Sequence, residues 1–211
     1  MALPKVRGAR DESRVIHHEL GHWLMAREVG FDTGGVIVQR APDGAIHGSA
    51  KVFPRASVML DTTGAIDDYL TRRVMVLCTG VIVEIEWYSK NLGRLLDEDE
   101  LADVYENGVI DVSGLSDKGK IEELLVILSG LRNKPVSELP DFAAQISDLF
   151  TEIYNQAKVK AEKFLDKLYV MAEITSKEKW QSREMLEVPL ERLLEIESLS
   201  ETRLKMMSPA I

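Results

Sequence analysis

"RVIHHELGHWLMAREVG", residues 14–30, decides how the rest of the chain is read. His18 and His22 are four residues apart, so on a helix they project from one face with Cβ atoms roughly 6 Å apart. Val15, Ile16, Leu20, Trp23, Leu24 and Val29 surround them at helical spacing. Asp11 or Ser13 can cap the start of that helix, and Gly30 can stop it. The H-E-x-x-H pattern therefore sits inside a helix, not in a loop. Two imidazoles so placed can both meet one tetrahedral cation, one Zn2+ per chain, at bond lengths of about 2.0–2.1 Å. Glu19 lies about 100° around the helix from His18. It cannot join the same ligand set, but it can reach a water on the ion. Zinc lowers the pKa of that water to roughly 7, and Glu19 is placed to take the proton as the water attacks a carbonyl. His17 points off the ligand face, toward the surface or the residues around the ligands. Gly21 costs roughly 1 kcal/mol of helix propensity relative to alanine, which suggests that another backbone or a substrate comes close there.

Two histidines do not complete a catalytic zinc site, which needs a third ligand and an open position. The longer pattern H-E-x-x-H-x-x-G-x-x-H fails, because Met25 and Glu28 occupy its glycine and last histidine positions. The third ligand is then a carboxylate further on. Glu84 and Glu86 lie on a second long helix, and Asp111 and Asp117 lie near the start of a later one. Spacing alone leaves all four open.

Composition limits the functional classes. The chain has 211 residues, 45% of them hydrophobic, enough for one domain with a substantial core. A formal net charge of -9 disfavours broad binding to nucleic-acid phosphates. The single cysteine, Cys78, cannot form an internal disulfide and sits in the apolar run "VMVLCTGVIV", where a buried, inert thiol is expected. The first residues lack the apolar core of a secretory signal, and no apolar run reaches the ~18 residues of a membrane span. The expectation is a cytoplasmic protein with no membrane span.

After the first helix, "GGVIVQR" and "AIHGSAKVF" are rich in β-branched residues and flank the turn "APDG". They predict a short β-hairpin, open to extension by a third strand, with His47 as a structural residue. A helix is expected from about Ala65 to Ser89, then a short acidic helix and loop, then a helix opening near Ser116 or Asp117. From about Asp141 the pattern is almost wholly helical: Ile146, Leu149, Phe150, Ile153, Tyr154 and Ala157 form one apolar stripe. A last helix is expected from around Val188 or Pro189. The expected fold is mainly α with a small β-hairpin or sheet (α+β): a zincin-like H-E-x-x-H helical domain with a C-terminal helical bundle. Residues 1–135 would form the metallopeptidase core. Residues 136–211 would pack on it within the same domain, "NKPVSELP" (133–140) marking the boundary.

The order of these segments resembles the peptidase domain of FtsH-type membrane-anchored AAA+ zinc proteases. That family carries a His-Glu-Ala-Gly-His helix, and this chain reads "HELGH". The family's strand-turn-strand segment is matched by "GGVIVQRAPDGAIHGSAKVFP", which keeps Gly48 and Pro54. Its A-G-R-x-A-E helix is matched by "CTGVIVE" at Gly80 and Glu84, with Val81 in the arginine position. Its aspartate-bearing segment is matched by "SGLSD", with Asp117 one residue earlier relative to the glycine. The helical tail "IYNQAKVKAEKFLDKLYVMAEI" is also similar. The resemblance implies His18, His22 and Asp117 as metal ligands, Glu19 as catalytic base, and Glu84 as the residue holding a ligand histidine. Asp111 is the fallback third ligand. The alternative for Glu84 is an ion pair with a nearby arginine.

No G-x-x-x-x-G-K-[ST] loop occurs, so the chain has no P-loop motor of its own. The expected activity is an ATP-independent zinc endopeptidase acting on unfolded or specific partner proteins, as a homo-oligomer or with a separate unfoldase. Substrate is expected to add to a strand edge at residues 34–39, through Val36, Ile37 and Val38. The alternative is a zinc-binding interaction module of peptidase descent that cuts nothing.

Overall fold

The computed structural model describes residues 9–107, 113–133, 139–182 and 184–207. Helix α1 runs Ala9–Glu28 and delivers the chain through Gly30, at φ 80°, into strand β1, Asp32–Arg40. Gly44, at φ 88°, supports the turn into β2, Ile46–Phe53. Helix α2, Thr63–Leu92, is capped by the Thr62 side chain and ended by Gly93 in the left-handed region. The acidic segment forms α3, Glu98–Asn107. Then follow α4 (Ser113–Arg132), α5 (Leu139–Glu162), α6 (Leu165–Thr175), β3 (Met185–Val188) and α7 (Leu190–Met207). The fold is mainly helical with a small antiparallel sheet, an α+β arrangement.

Several boundaries differ from the sequence expectation. Helix α1 starts ahead of Asp11, whose carboxylate binds Arg14 one turn on and does not cap the end. Helix α4 opens at Ser113, which places Asp117 in its second turn. The tail is not wholly helical, because β3 interrupts it and pairs antiparallel with β1, Val36 opposite Val188 and Val38 opposite Leu186. The strand order is β2-β1-β3, so β1 is the middle strand. Part of the 133–140 boundary segment lies outside the described residues.

The central packing is α1 across α2. Gly21 explains how close they come: a Cβ there would lie 2.9 Å from Val83 Cγ2 and 3.2 Å from the Thr79 carbonyl oxygen. Leu20, Trp23, Val74 and Val83 are fully buried around this crossing. Each such side chain contributes roughly 1.5–3 kcal/mol on leaving water. Leu149, Ile153, Ala157 and Ala161 of α5 join the same core as the α1 and α2 residues. On the other side of α1, the Trp23 indole donates to the Gly34 carbonyl at 2.9 Å and ties the helix to β1. Cys78 is buried, and burial, with Asp117 nearby, pushes its thiol up to about 12. Among the described residues no helix is long and apolar enough to cross a membrane.

Candidate metal centre

Helix α1 presents His18, Glu19 and His22, all buried, toward α2, α4 and β2. His22 Nδ1 donates to the Val76 carbonyl at 2.7 Å. That bond leaves the lone pair on Nε2, the form a metal ligand requires. His18 Nε2 lies 2.8 Å from His22 Nε2. Asp117 Oδ2 lies 3.0 Å from His22 Nε2 and 3.7 Å from His18 Nε2. A triangle with those sides has a centre about 1.9 Å from each corner, close to the 2.0–2.2 Å bond lengths of zinc, so these three atoms would fit such an ion. These three residues are the group able to hold a metal among the described residues.

Space for an ion comes from α2. A Cβ on Gly80 would lie 2.5 Å from His18 Cε1 and Nε2 and 2.6 Å from His22 Nε2. Only glycine at that position leaves the imidazole nitrogens free to converge. The donor set of two imidazoles and one carboxylate suits zinc and leaves a fourth position for water or substrate. The residues present therefore fit the ion that the sequence implies.

Glu84 is not in this triangle. Its Oε1 lies 3.6 Å from His18 Nδ1, the nitrogen on the far side of the ring. The same oxygen pairs with the guanidinium of Arg14, which is buried one turn before His18 and also binds Asp11 at 2.8 Å. Glu84 thus faces the His18 ring and is also paired to an arginine. The chain has Val81 where the resembled motif has arginine, and the guanidinium on Glu84 comes from α1. Glu86 faces α6, where burial first and Glu86 second push the Tyr169 hydroxyl up to about 12. Asp111 lies outside the described residues.

The electrostatics favour a cation. Among the described residues Arg14 pairs with Asp11 and Glu84, and Lys120 lies against Asp117, so the carboxylates of Asp11, Glu19, Glu84 and Asp117 outnumber the cations paired with them. Burial draws the His18 imidazole down, but the carboxylates of Glu84, Asp117 and Glu19 outweigh it and lift it to about 10. Partial burial opposes ionisation of Asp117, yet His22 and His18 hold it well below the usual carboxylate range. Burial opposes ionisation of Glu84, which His18 and Arg14 nevertheless bring below its ordinary value. Burial raises the Glu19 carboxyl, and Asp117 adds to the rise, while the histidines oppose it. A carboxylate raised in this way is a better proton acceptor near neutral pH.

Glu19 is held by β2. Its Oε2 accepts the Ala50 N–H at 2.7 Å, and its Cγ and Oε1 lie 2.4 Å from where a Cβ on Gly48 would be. The Ala50 N–H therefore points away from β1. In an antiparallel ladder alternate residues repeat that orientation, so Gly48 also turns its backbone groups outward, beside Glu19.

This corrects the expected substrate edge. Val36, Ile37 and Val38 lie on the middle strand, with β2 on one side and β3 on the other, and Val36 and Val38 are buried. No edge of that stretch is open, and the edge beside the site belongs to β2. A cleft of about 500 Å³ runs along it, walled by His47, Gly48, Ala50 and Pro54 on one side and by Arg73 and Leu77 on the other. His47, expected to be structural only, lines this cleft. His17 is not at the surface: it is buried, its Nδ1 donates to the Ser13 carbonyl at 2.6 Å, and its ring packs edge-on against Tyr169 of α6.

Sequence reasoning missed Arg14 and Arg73. Arg14 could have been found: it shares the i, i+4 stripe of His18 and His22, and a cation on a buried stripe requires a carboxylate partner. No family model, curated protein or solved structure matches this chain.

Proposed function

We propose that this chain is a zinc-dependent endopeptidase that hydrolyses peptide bonds of unfolded or specific partner proteins. The observation that carries the reading is the convergence of His18 Nε2, His22 Nε2 and Asp117 Oδ2 around one point, with the Glu19 carboxylate beside it on an open strand edge. The FtsH-like order of HELGH, hairpin, CTGVIVE and SGLSD supports it independently.

When bound, zinc supplies a Lewis acid that acidifies water and polarises a carbonyl. His18, His22 and Asp117 hold it. Glu19, oriented by the Ala50 N–H and raised by burial, takes a proton from water and passes it to the leaving amine. Glu84 Oε1, 3.6 Å from His18 Nδ1, would help orient the ring of a ligand histidine by its charge. An extended polypeptide adds to the outer edge of β2, where the backbone groups of Gly48 meet its main chain.

A zinc-binding module that holds a peptide without cutting it is the competing reading, and a buried carboxylate set beside the ligands has no role in it. The test uses zinc-loaded protein and an unfolded, carboxymethylated protein substrate, with cleavage followed by mass spectrometry. Glu19→Gln is expected to slow cleavage by about 10²- to 10⁴-fold while bound zinc stays at one ion per chain. Equal turnover by the variant, or an uncut substrate with the zinc-loaded wild type, overturns the proposal.

A further inference from the structure

The cleft beside the metal centre contains two cations. Lys120 is engaged, its Nζ 3.4 Å from Asp117 Oδ1. Arg73 is not: it is partly buried in the cleft wall and forms no hydrogen bond or ion pair among the described residues. This sets it apart within the molecule. Except for the exposed Arg55, every other arginine whose side chain is described is paired with an aspartate or glutamate. A guanidinium partly withdrawn from water with no counter-charge favours an anion, and its fork geometry matches a carboxylate.

The placement of Arg73 fixes where that anion sits. Tyr69, one turn earlier on α2, donates its hydroxyl to the Pro54 carbonyl at 2.9 Å, just beyond the end of β2. Val76, one turn later, accepts the His22 Nδ1 bond. Arg73 therefore lies between the far end of the β2 edge and the metal ligands. It is seven residues before Gly80, about 10 Å along the helix. An extended chain advances about 3.3 Å per residue, so about two or three residues separate an anion at Arg73 from a bond opposite Glu19.

We infer that Arg73 is a specificity-determining residue that binds a substrate carboxylate about two or three residues from the bond to be cut. The inference rests on the peptidase reading and narrows it. The carboxylate is either an Asp or Glu side chain within a polypeptide or the α-carboxylate at its C-terminus. In the first case the enzyme cuts next to acidic segments. In the second it trims chain ends.

The test measures binding, so it does not require turnover. Zinc-loaded Glu19→Gln protein is titrated with synthetic alanine-serine hexapeptides blocked at both ends. One glutamate is moved through all positions, and the matching glutamine peptides serve as controls. A third set carries glutamine throughout and a free C-terminus. One register of the glutamate set, or the free-ended set, should bind about tenfold or more tighter than its neutral control, in keeping with a charge-assisted bidentate pair. Which set shows the gain identifies the source of the carboxylate. Adding Arg73→Gln should remove the preference with bound zinc unchanged, and Arg73→Lys should retain part of it. Equal binding of charged and neutral peptides in every register, no binding of any peptide, or a preference that survives Arg73→Gln overturns the inference. A carboxylate preference without hydrolysis by the wild type would sink the peptidase reading alone. Hydrolysis without the preference would sink only the role of Arg73.

Discussion

Arg14 and Glu84, 70 residues apart in sequence, form a buried ion pair directly behind His18. The pair ties the surroundings of the His18 ring to the contact between α1 and α2. Removing Glu84 and removing Asp117 should therefore have different consequences. Asp117→Ala takes away a ligand and should abolish stable zinc binding. Glu84→Ala should weaken zinc by about 10- to 100-fold and also leave Arg14 buried without its main partner, at about 3–5 kcal/mol of stability. Competition against a chromophoric chelator, with urea melts alongside, separates the two. A Glu84 variant that loses zinc completely while Asp117→Ala keeps it would reverse the assignment.

Gly80 and Gly48 each leave room for one part of the site, and alanine scanning should separate those parts. Gly80→Ala places a methyl 2.5 Å from His18 Nε2 and should abolish metal binding. Gly48→Ala overlaps Glu19 and should leave zinc bound while cleavage falls by an amount comparable to Glu19→Gln. Metal content by mass spectrometry and cleavage rate, measured on the same samples, decide the point. Full activity in Gly48→Ala would mean that Glu19 works from another position.

The charge balance predicts a proton exchanged for each metal ion. His18 in the metal-free protein is lifted to about 10, so it is protonated through neutral pH and must lose that proton to bind zinc. Zinc affinity should rise by up to about tenfold per pH unit between roughly pH 7 and 9. Titration calorimetry in buffers of different ionisation enthalpy should show about one proton released per ion. The metal-free protein should show the opposite trend. A group with a raised folded pKa stabilises fully below its unfolded value, near 6.5, and loses that contribution as pH rises through about 10. A pH-independent affinity would contradict this.

Helix α1 can approach α2 only because residue 21 has no side chain. Gly21→Ala gains about 1 kcal/mol of helix propensity, but its methyl meets Val83 and the Thr79 carbonyl. Overpacking of this kind costs about 1–3 kcal/mol, so net destabilisation is expected in urea unfolding. A more stable variant would show that the crossing is looser than described.

The helix that carries His18, Glu19 and His22 was legible in the sequence because its signal is local: four-residue spacing within one helix fixes the relative placement of the three side chains. Asp117 could not be derived from spacing, since its place depends on how α4 packs against α2. Resemblance suggested it, and the observed distances bring it to the histidines. The hairpin was legible from its β-branched runs and turn. Strand β3 was not: the last helix was expected from around Val188 or Pro189, nothing local marks Met185–Val188 as a strand, and only pairing with β1 makes it one. That omission moved the open edge to the wrong strand. Arg73 gave no sequence signal at all, because an unpaired arginine is recognisable only when its surroundings are known.

The position of β3 bears on biosynthesis. The middle strand beside α1 acquires its second neighbour only from Met185–Val188, and Gly35 meets the Val188 carbonyl so closely that a methyl there would lie 2.5 Å from it. A nascent chain emerging from the ribosome holds both histidines and Glu19 long before it holds β3. Until then one side of β1 is bare, and the sheet that positions Glu19 is incomplete. Completion of the sheet thus waits until Met185–Val188 has been made, well over a hundred residues after the helix that carries His18, Glu19 and His22.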